Sequence, residues 1–80
     1  MKNFRDYINV NKEILGGQPV FKGTHVPIET LFNHLEKGVS LDQFLADFPT
    51  VTKEQITGVL DIAEKLLTSD TLDKIYEIAS

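Results

Sequence analysis

The sequence contains two histidines and no cysteine, so a transition metal would have to be held by imidazole and carboxylate groups. His25 and His34 are nine residues apart, a separation that matches neither a helical ligand pair nor the spacing of zinc motifs. We therefore expect no metal site. His34 falls on the polar side of a predicted helix and is expected to be solvated. His25 lies where a loop meets that helix, a position suited to contacting a partner or capping a turn.

Catalytic and phosphate-binding patterns are absent from the sequence. Gly16-Gly17 followed by Gly23 does not match the glycine-rich phosphate loop, and no strand–helix–strand unit of the required length accompanies it. No serine or threonine has an evident base partner, so we expect neither an enzyme nor a bound cofactor. The helical acids indicate a solvated face; they are Asp42, Asp47, Glu54, Asp61 and Glu64.

Another group of polar side chains is suited to contacting nucleic acid. Lys53 is predicted in the first turn of a helix, and its neighbours in sequence could reach phosphates or base edges in a major groove. Lys22 adds a cation in a preceding turn. The alternative is that the polar neighbours of Lys53 only cap and solvate the helix start. The candidate DNA-binding residues are Lys22, His25, Thr52, Lys53, Gln55 and Thr57.

Length and charge indicate one small domain over residues 1–80, with a net charge of −4. A chain this short hides only about 60% of its unfolded surface. We expect a homodimer, because association buries further apolar surface. Residues 1–27 carry four cations and two acids, whereas residues 28–80 carry four cations and ten acids. This acidic excess argues against uniform non-specific affinity for nucleic acid.

The sequence shows no membrane or export signal. It has no run of about 18 apolar residues, so we expect no membrane span. No apolar run follows Met1–Asp6, so we also expect no secretory signal peptide. The absence of cysteine is typical of a cytoplasmic protein, and the cytoplasm is the location we expect.

A β-hairpin and a glycine- and proline-rich loop are predicted over residues 7–27. Tyr7–Val10 alternates in polarity and is rich in strand formers, and Pro19–Phe21 is the second candidate strand. Gly16-Gly17 predicts a turn with positive φ between them, and Lys22–Thr24 predicts another. Two such strands are barely stable alone, so they must pack against the helices.

Two helices are predicted next, within a helical core over residues 28–67. The first begins near Pro27, because proline suits the first helical position. It ends at Gly38, where a left-handed cap residue is expected. The second opens with the capping box Ser40–Gln43, in which serine and glutamine cap each other's N–H groups, and it stops at Pro49.

A third helix is predicted from a second capping box, Thr52–Gln55. Gly58 weakens this helix, which suggests that another backbone passes close to it. The second and third helices with their short connection are typical of a helix-turn-helix. The predicted fold is therefore mainly α, a three- to four-helix, winged-helix-like domain with a short N-terminal β-hairpin. The predicted core consists of Ile8, Ile28, Leu31, Phe32, Leu35, Leu41, Phe44, Leu45, Phe48, Ile56, Val59, Leu60 and Ala63.

A last helix is predicted over residues 69–80. It combines acids with apolar residues at helical spacing, and complementary charge would guide it to a basic protein surface. The alternatives are a plain packing helix or a dimer helix. The candidate partner-binding residues are Leu72, Ile75, Tyr76 and Ile78.

The segment Ile14–Ile28, ILGGQPVFKGTHVPI, resembles the signature of the domain of unknown function 433 family, which reads roughly D-P-E-I-L-G-G-K-P-V-I-R-G-T-R-I-P-V. Residues 38–56 resemble the family's later stretch, G-x-S-x-E-E-I-L-x-x-Y-P-x-L-T-x-E-x-I. The resemblance runs from Tyr7 to Leu67 without a gap. The sequence departs from the pattern at Gln18 and His25, where the family usually carries basic residues. Two fewer cations weaken phosphate contacts.

The resemblance implies a helix-turn-helix domain with a β-hairpin before it. It also implies an antitoxin-like bacterial or archaeal protein that neutralises a toxin resembling a PIN-type ribonuclease through a C-terminal segment and binds its own operator DNA as a dimer. The alternative is a protein–protein interaction or dimerisation module without DNA binding.

Overall fold

The computed structural model describes residues 3–68, which are mainly helical with a short antiparallel hairpin near the N-terminus. The predicted mainly α class with an N-terminal hairpin is therefore confirmed. The predicted helix over residues 69–80 lies outside the described residues. In chain order the elements are α1 (Phe4–Tyr7), β1 (Ile8–Asn9), a 3₁₀ turn (Leu15–Gly17), β2 (Val20–Phe21), α2 (Ile28–Glu36), α3 (Leu41–Asp47) and α4 (Lys53–Thr68).

The hairpin is shorter than predicted. β1 pairs antiparallel with β2, and Ile8 lies opposite Phe21. The prediction of a strand over Tyr7–Val10 was wrong at both ends, because Tyr7 closes α1 and β1 stops before Val10. A local signal outweighed the strand propensity of Tyr7: Asn3 precedes α1, and its side chain accepts the N–H of Arg5 at 2.9 Å, as N-cap residues do.

The connection between the strands needs left-handed backbone, as the paired glycines predicted. Gly16 and Gly17 have φ angles of 69° and 94°. Leu15 also has a positive φ, 50°, which the sequence did not indicate. A left-handed conformation costs a residue with a Cβ about 1–2 kcal/mol, so the two glycines confine this cost to one position.

Helix α2 ends as predicted and begins one residue later. Pro27 is the N-cap rather than the first helical residue. Gly38 has a φ of 80°, and its N–H donates to Leu35 O at 3.0 Å while the N–H of Val39 donates to His34 O at 3.0 Å. These two bonds form the Schellman arrangement, so α2 stops at the predicted glycine.

One capping box is complete and the other is not. Thr52 Oγ1 accepts the N–H of Gln55 at 3.1 Å, and Gln55 Oε1 accepts the N–H of Thr52 at 3.0 Å. Ser40 Oγ likewise accepts the N–H of Gln43 at 3.1 Å. The prediction that the Gln43 side chain reaches back to the N–H of Ser40 was wrong. Its amide donates instead to Asp47, one turn further along the helix, at 3.0 Å.

The core brings the hairpin and the helices together. Five predicted core residues are buried: Ile8, Leu31, Phe44, Ile56 and Val59. The prediction missed Val20, Phe21 and Val51, which are also buried, because a two-residue strand and a connection carry no periodicity. The other predicted members are half-buried: Ile28, Phe32, Leu35, Leu41, Leu45, Phe48, Leu60 and Ala63.

The prediction that His34 is solvated was wrong. Its ring meets the rings of Phe44 and Phe48 edge-on, at centroid distances of 5.3 and 5.5 Å. Its Nδ1 lies 2.7 Å from Thr30 O, and because a carbonyl oxygen only accepts, Nδ1 carries the proton. Helix α3 covers the side of α2 that the helical pattern of α2 alone marks as polar.

Gly58 lies where α1 packs against α4. A Cβ at this position would lie 2.7 Å from Cδ1, Cε1 and Cζ of Tyr7. The prediction that another backbone passes close to Gly58 was therefore wrong, since the neighbour is an aromatic side chain. The glycine lets that ring approach the helix axis.

Candidate nucleic-acid interface

The six candidate DNA-binding residues fall on two adjoining segments, the loop after β2 and the start of α4. The link between them is a hydrogen bond from Gln55 Nε2 to the main-chain carbonyl of Lys22, 2.8 Å long. Lys22 and Gln55 are 33 positions apart in the sequence. The fold thus brings together two groups that the sequence showed only as separate candidates.

The loop after β2 is fixed by its own hydrogen bonds. Thr24 is the buried polar residue at its centre, with only 7% of its surface exposed. Its hydroxyl donates to Phe21 O at 2.8 Å and accepts the N–H of Val26 at 3.1 Å. Gly23 turns the chain with a φ of 77°. Thr24 was not among the predicted site residues. Its signal in the sequence is a hydroxyl directly after a turn glycine, the type of residue that bonds its own backbone.

The main chain of Lys22 is held from both sides. Its N–H donates to Tyr7 O at 2.8 Å, and its carbonyl accepts the Gln55 amide. Its side chain is exposed and, within residues 3–68, forms no hydrogen bond or ion pair. Lys22 therefore presents a free cation from a fixed backbone position.

The polar neighbours of Lys53 are engaged with the helix start. Thr52 and Gln55 form the complete capping box, and Thr57 Oγ1 donates to Lys53 O at 2.9 Å. The capping alternative thus describes their geometry in the isolated chain. A contact between any of them and DNA stays a prediction.

Lys53 and His25 have exposed side chains on the same two segments. The ion pair in the described part of the chain joins Lys65 and Glu64 at 3.7 Å, at the far end of α4. The ammonium group of Lys53 has no carboxylate partner among the described residues. Lys53 lies in the first turn of α4, next to the exposed Glu54.

Arg5 is a further cation near Lys22, and it was not among the predicted site residues. Arg5 and Lys22 both line an open groove of about 620 Å³ beside the hairpin, whose wall also includes Phe4 and Val10. No motif or periodicity singles out Arg5, because its place depends on the short α1. Arg5, Lys22 and Lys53 are thus cations on α1, the loop after β2 and α4.

Residues 3–68 contain neither a cluster of metal ligands nor a membrane-spanning helix. No group of three or more histidine or acidic side chains there is arranged to hold a metal ion. No helix in that range has the length and apolar character that crossing a membrane requires. The candidate partner-binding residues Leu72, Ile75, Tyr76 and Ile78 lie outside the described part of the chain.

Comparison with known proteins places the chain in a family. Neither a curated protein nor a solved structure matches it significantly. Residues 8–63 match the family described as "Protein of unknown function (DUF433)". That range includes both strands, α2, α3 and most of α4, and it contains the loop and the start of α4 that form the candidate interface. The match covers well over half of the 80 residues, and the protein is therefore a member of the DUF433 family.

Proposed function

We propose that this protein is an antitoxin-like DNA-binding regulator of a bacterial toxin–antitoxin system. In this proposal α3 and α4 act as a helix-turn-helix, with the start of α4 entering the major groove and the loop after β2 lying against the phosphates. A homodimer binds two half-sites about one helical turn apart, ~34–36 Å. The same protein binds a PIN-type ribonuclease toxin in the cytoplasm.

The free cations on three adjoining segments, α1, the loop after β2 and the start of α4, are the observation that carries the DNA-binding half of this proposal. Lys22 and Lys53 lie on segments joined by the Gln55 hydrogen bond, and Arg5 lines the same groove as Lys22. Positive side chains without protein partners are available to phosphates, whose neutralisation releases counterions and favours binding. The charge of the whole chain is negative, so binding depends on this local cluster and not on net charge.

The toxin-binding half rests on the sequence of residues 69–80 and on charge. Residues 28–80 carry ten acids against four cations, and an acidic surface complements the basic surface of a nucleic-acid-cleaving enzyme. Leu72, Ile75, Tyr76 and Ile78 supply the apolar contacts. Co-expression with a PIN-type ribonuclease from the same genome tests this half: the full chain should co-purify with it, and a chain lacking residues 69–80 should not.

The DNA-binding half is tested by fluorescence anisotropy of the purified protein with the DNA upstream of its own gene and with a scrambled duplex. Measurements at roughly 50 mM and 150 mM salt give the slope of log affinity against log salt, about −0.9 per phosphate contact. We expect preferential binding to the upstream DNA that weakens with salt. Failure to bind either duplex at the lower salt would remove DNA recognition from the proposal.

A protein-binding module without DNA recognition is the second candidate, favoured by an apolar groove on α1 and α2. The groove has a volume of about 340 Å³, and Phe4 at its edge is 47% exposed. A large exposed aromatic in a concave apolar surface is typical of protein-binding sites. The groove is lined by Phe4, Ile8, Gln18, Pro19, Pro27, Ile28, Glu29 and Phe32. Toxin binding with no affinity for DNA would support this candidate.

A further inference from the structure

Gln55 is a candidate for base readout, because glutamine can bind adenine N6 and N7 with both ends of its amide. In the structure both ends are already engaged. Oε1 accepts the N–H of Thr52 at 3.0 Å, and Nε2 donates to Lys22 O at 2.8 Å. A bidentate contact with a base would require breaking both bonds, and breaking the second would remove the hydrogen bond between the Lys22 loop and α4.

We propose that Gln55 is a positioning residue rather than a base-reading one: its amide locks the Lys22 loop to the first turn of α4, so that Lys22 and Lys53 bind the phosphates of one duplex as a unit. This inference rests on the proposed DNA binding and deepens it. It assigns to Gln55 the sequence-independent part of recognition, since phosphate contacts fix orientation and carry no sequence information.

The construction around Lys22 supports this role. Phe21 on its N-terminal side is fully buried, and Thr24 beyond the turn is buried and doubly hydrogen-bonded. The main-chain N–H of Lys22 is tied to Tyr7 on one side. Gln55 supplies the tie on the α4 side, and it is the hydrogen bond that relates the loop to the helix carrying Lys53.

A double-mutant cycle between Lys22 and Gln55 tests the inference. Affinity for the upstream DNA and the scrambled duplex is measured for the full-length protein, for Lys22→Ala, for Gln55→Met and for the double variant. One lost phosphate contact lowers affinity roughly 8-fold at about 0.1 M salt. We expect Lys22→Ala to show this loss in the wild-type background. In the Gln55→Met background we expect Lys22→Ala to lower affinity less than about twofold. Effects of independent mutations add to within about this factor, so a loss this small counts as no further effect.

Thr52→Ala is the matched control. It removes the hydroxyl that caps the N–H of Gln55 but leaves the Gln55 amide able to reach Lys22 O. Lys22→Ala should therefore retain its full cost in the Thr52→Ala background. Circular dichroism of every variant shows whether the helices are intact. Fraying at the start of α4 can then be distinguished from loss of the hydrogen bond between Gln55 and the Lys22 loop.

Each outcome decides between the roles. The positioning role is supported if the affinity losses of the two substitutions are not additive and the ratio of affinity for the upstream DNA to affinity for the scrambled duplex does not change. Additive losses overturn the inference and leave the proposed DNA binding standing. A fall of that ratio in Gln55→Met identifies base readout and also overturns it. No binding by the wild-type protein removes the proposed function and the inference together.

Discussion

The ring of Tyr7 fills the space that a side chain at residue 58 would occupy, and this contact joins α1 to α4. We predict that Gly58→Ala destabilises the protein. Alanine favours a helix over glycine by up to about 1 kcal/mol, but a Cβ 2.7 Å from three ring atoms forces the ring to move. Overpacking costs about 1–3 kcal/mol, so the net loss should be about 1 kcal/mol in denaturant unfolding.

The same substitution in a Tyr7→Ala background provides the control for this contact. With the ring removed, only the helix preference remains, and alanine at residue 58 should stabilise by up to about 1 kcal/mol. An equal effect of Gly58→Ala in both backgrounds would show that Tyr7 and Gly58 are not in contact.

Thr24→Val should destabilise the protein by about 1–3 kcal/mol, because valine has a similar shape but lacks the hydroxyl that bonds Phe21 O and the Val26 N–H. Thermal unfolding followed by circular dichroism measures the loss. Thr24→Ser keeps both hydrogen bonds and is the matched control. If valine costs less than about 0.5 kcal/mol, the two hydrogen bonds do not stabilise the loop.

His34→Ala should lower the free energy of unfolding by roughly 1–2 kcal/mol, because edge-on ring pairs are worth about 0.5–1.5 kcal/mol beyond buried area and the Thr30 hydrogen bond is lost as well. Asn33→Ala, at the exposed neighbouring position, should change stability by less than about 0.5 kcal/mol. Similar small effects at both positions would contradict the packed position of the imidazole.

Lys53→Ala should weaken binding to the upstream and scrambled duplexes alike and reduce the salt slope by about 0.9. Lys65→Ala is the control, since it removes the same charge from α4 near its other end, where Lys65 pairs with Glu64. Anisotropy titrations at several salt concentrations give both slopes. Equal losses for the two variants would mean that net charge, and not position, determines affinity.

Local signals in the sequence predicted the end of α2, the start of α4 and the turns, although they missed α1. The capping box at Thr52 and the cap at Gly38 each depend on atoms within a few residues, so a short stretch of sequence suffices to identify them. The burial of His34 could not be predicted from such local signals. Its position on α2 was predictable, but its burial depends on α3, and a helical pattern does not reveal which neighbour covers a face.

The candidate interface was predictable only in pieces. Lys53 and its neighbours follow from the start of α4, and Lys22 from a turn. The bond between Gln55 and Lys22 spans 33 positions, and no periodicity or motif connects residues so far apart. Arg5 was missed for a related reason, since its place on the groove depends on how the short, unpredicted α1 lies beside the hairpin.

The loop after β2 contains buried residues and exposed residues. Phe21 and Thr24 point inward and hold the loop, whereas Lys22 and His25 are exposed. The N–H of Phe21 donates to Val26 O at 3.0 Å, so the loop also closes on itself. Exposed side chains can therefore diverge during evolution without a stability penalty. The buried half of the loop keeps the backbone in place while the outward-facing positions, Lys22 and His25, stay open to substitution.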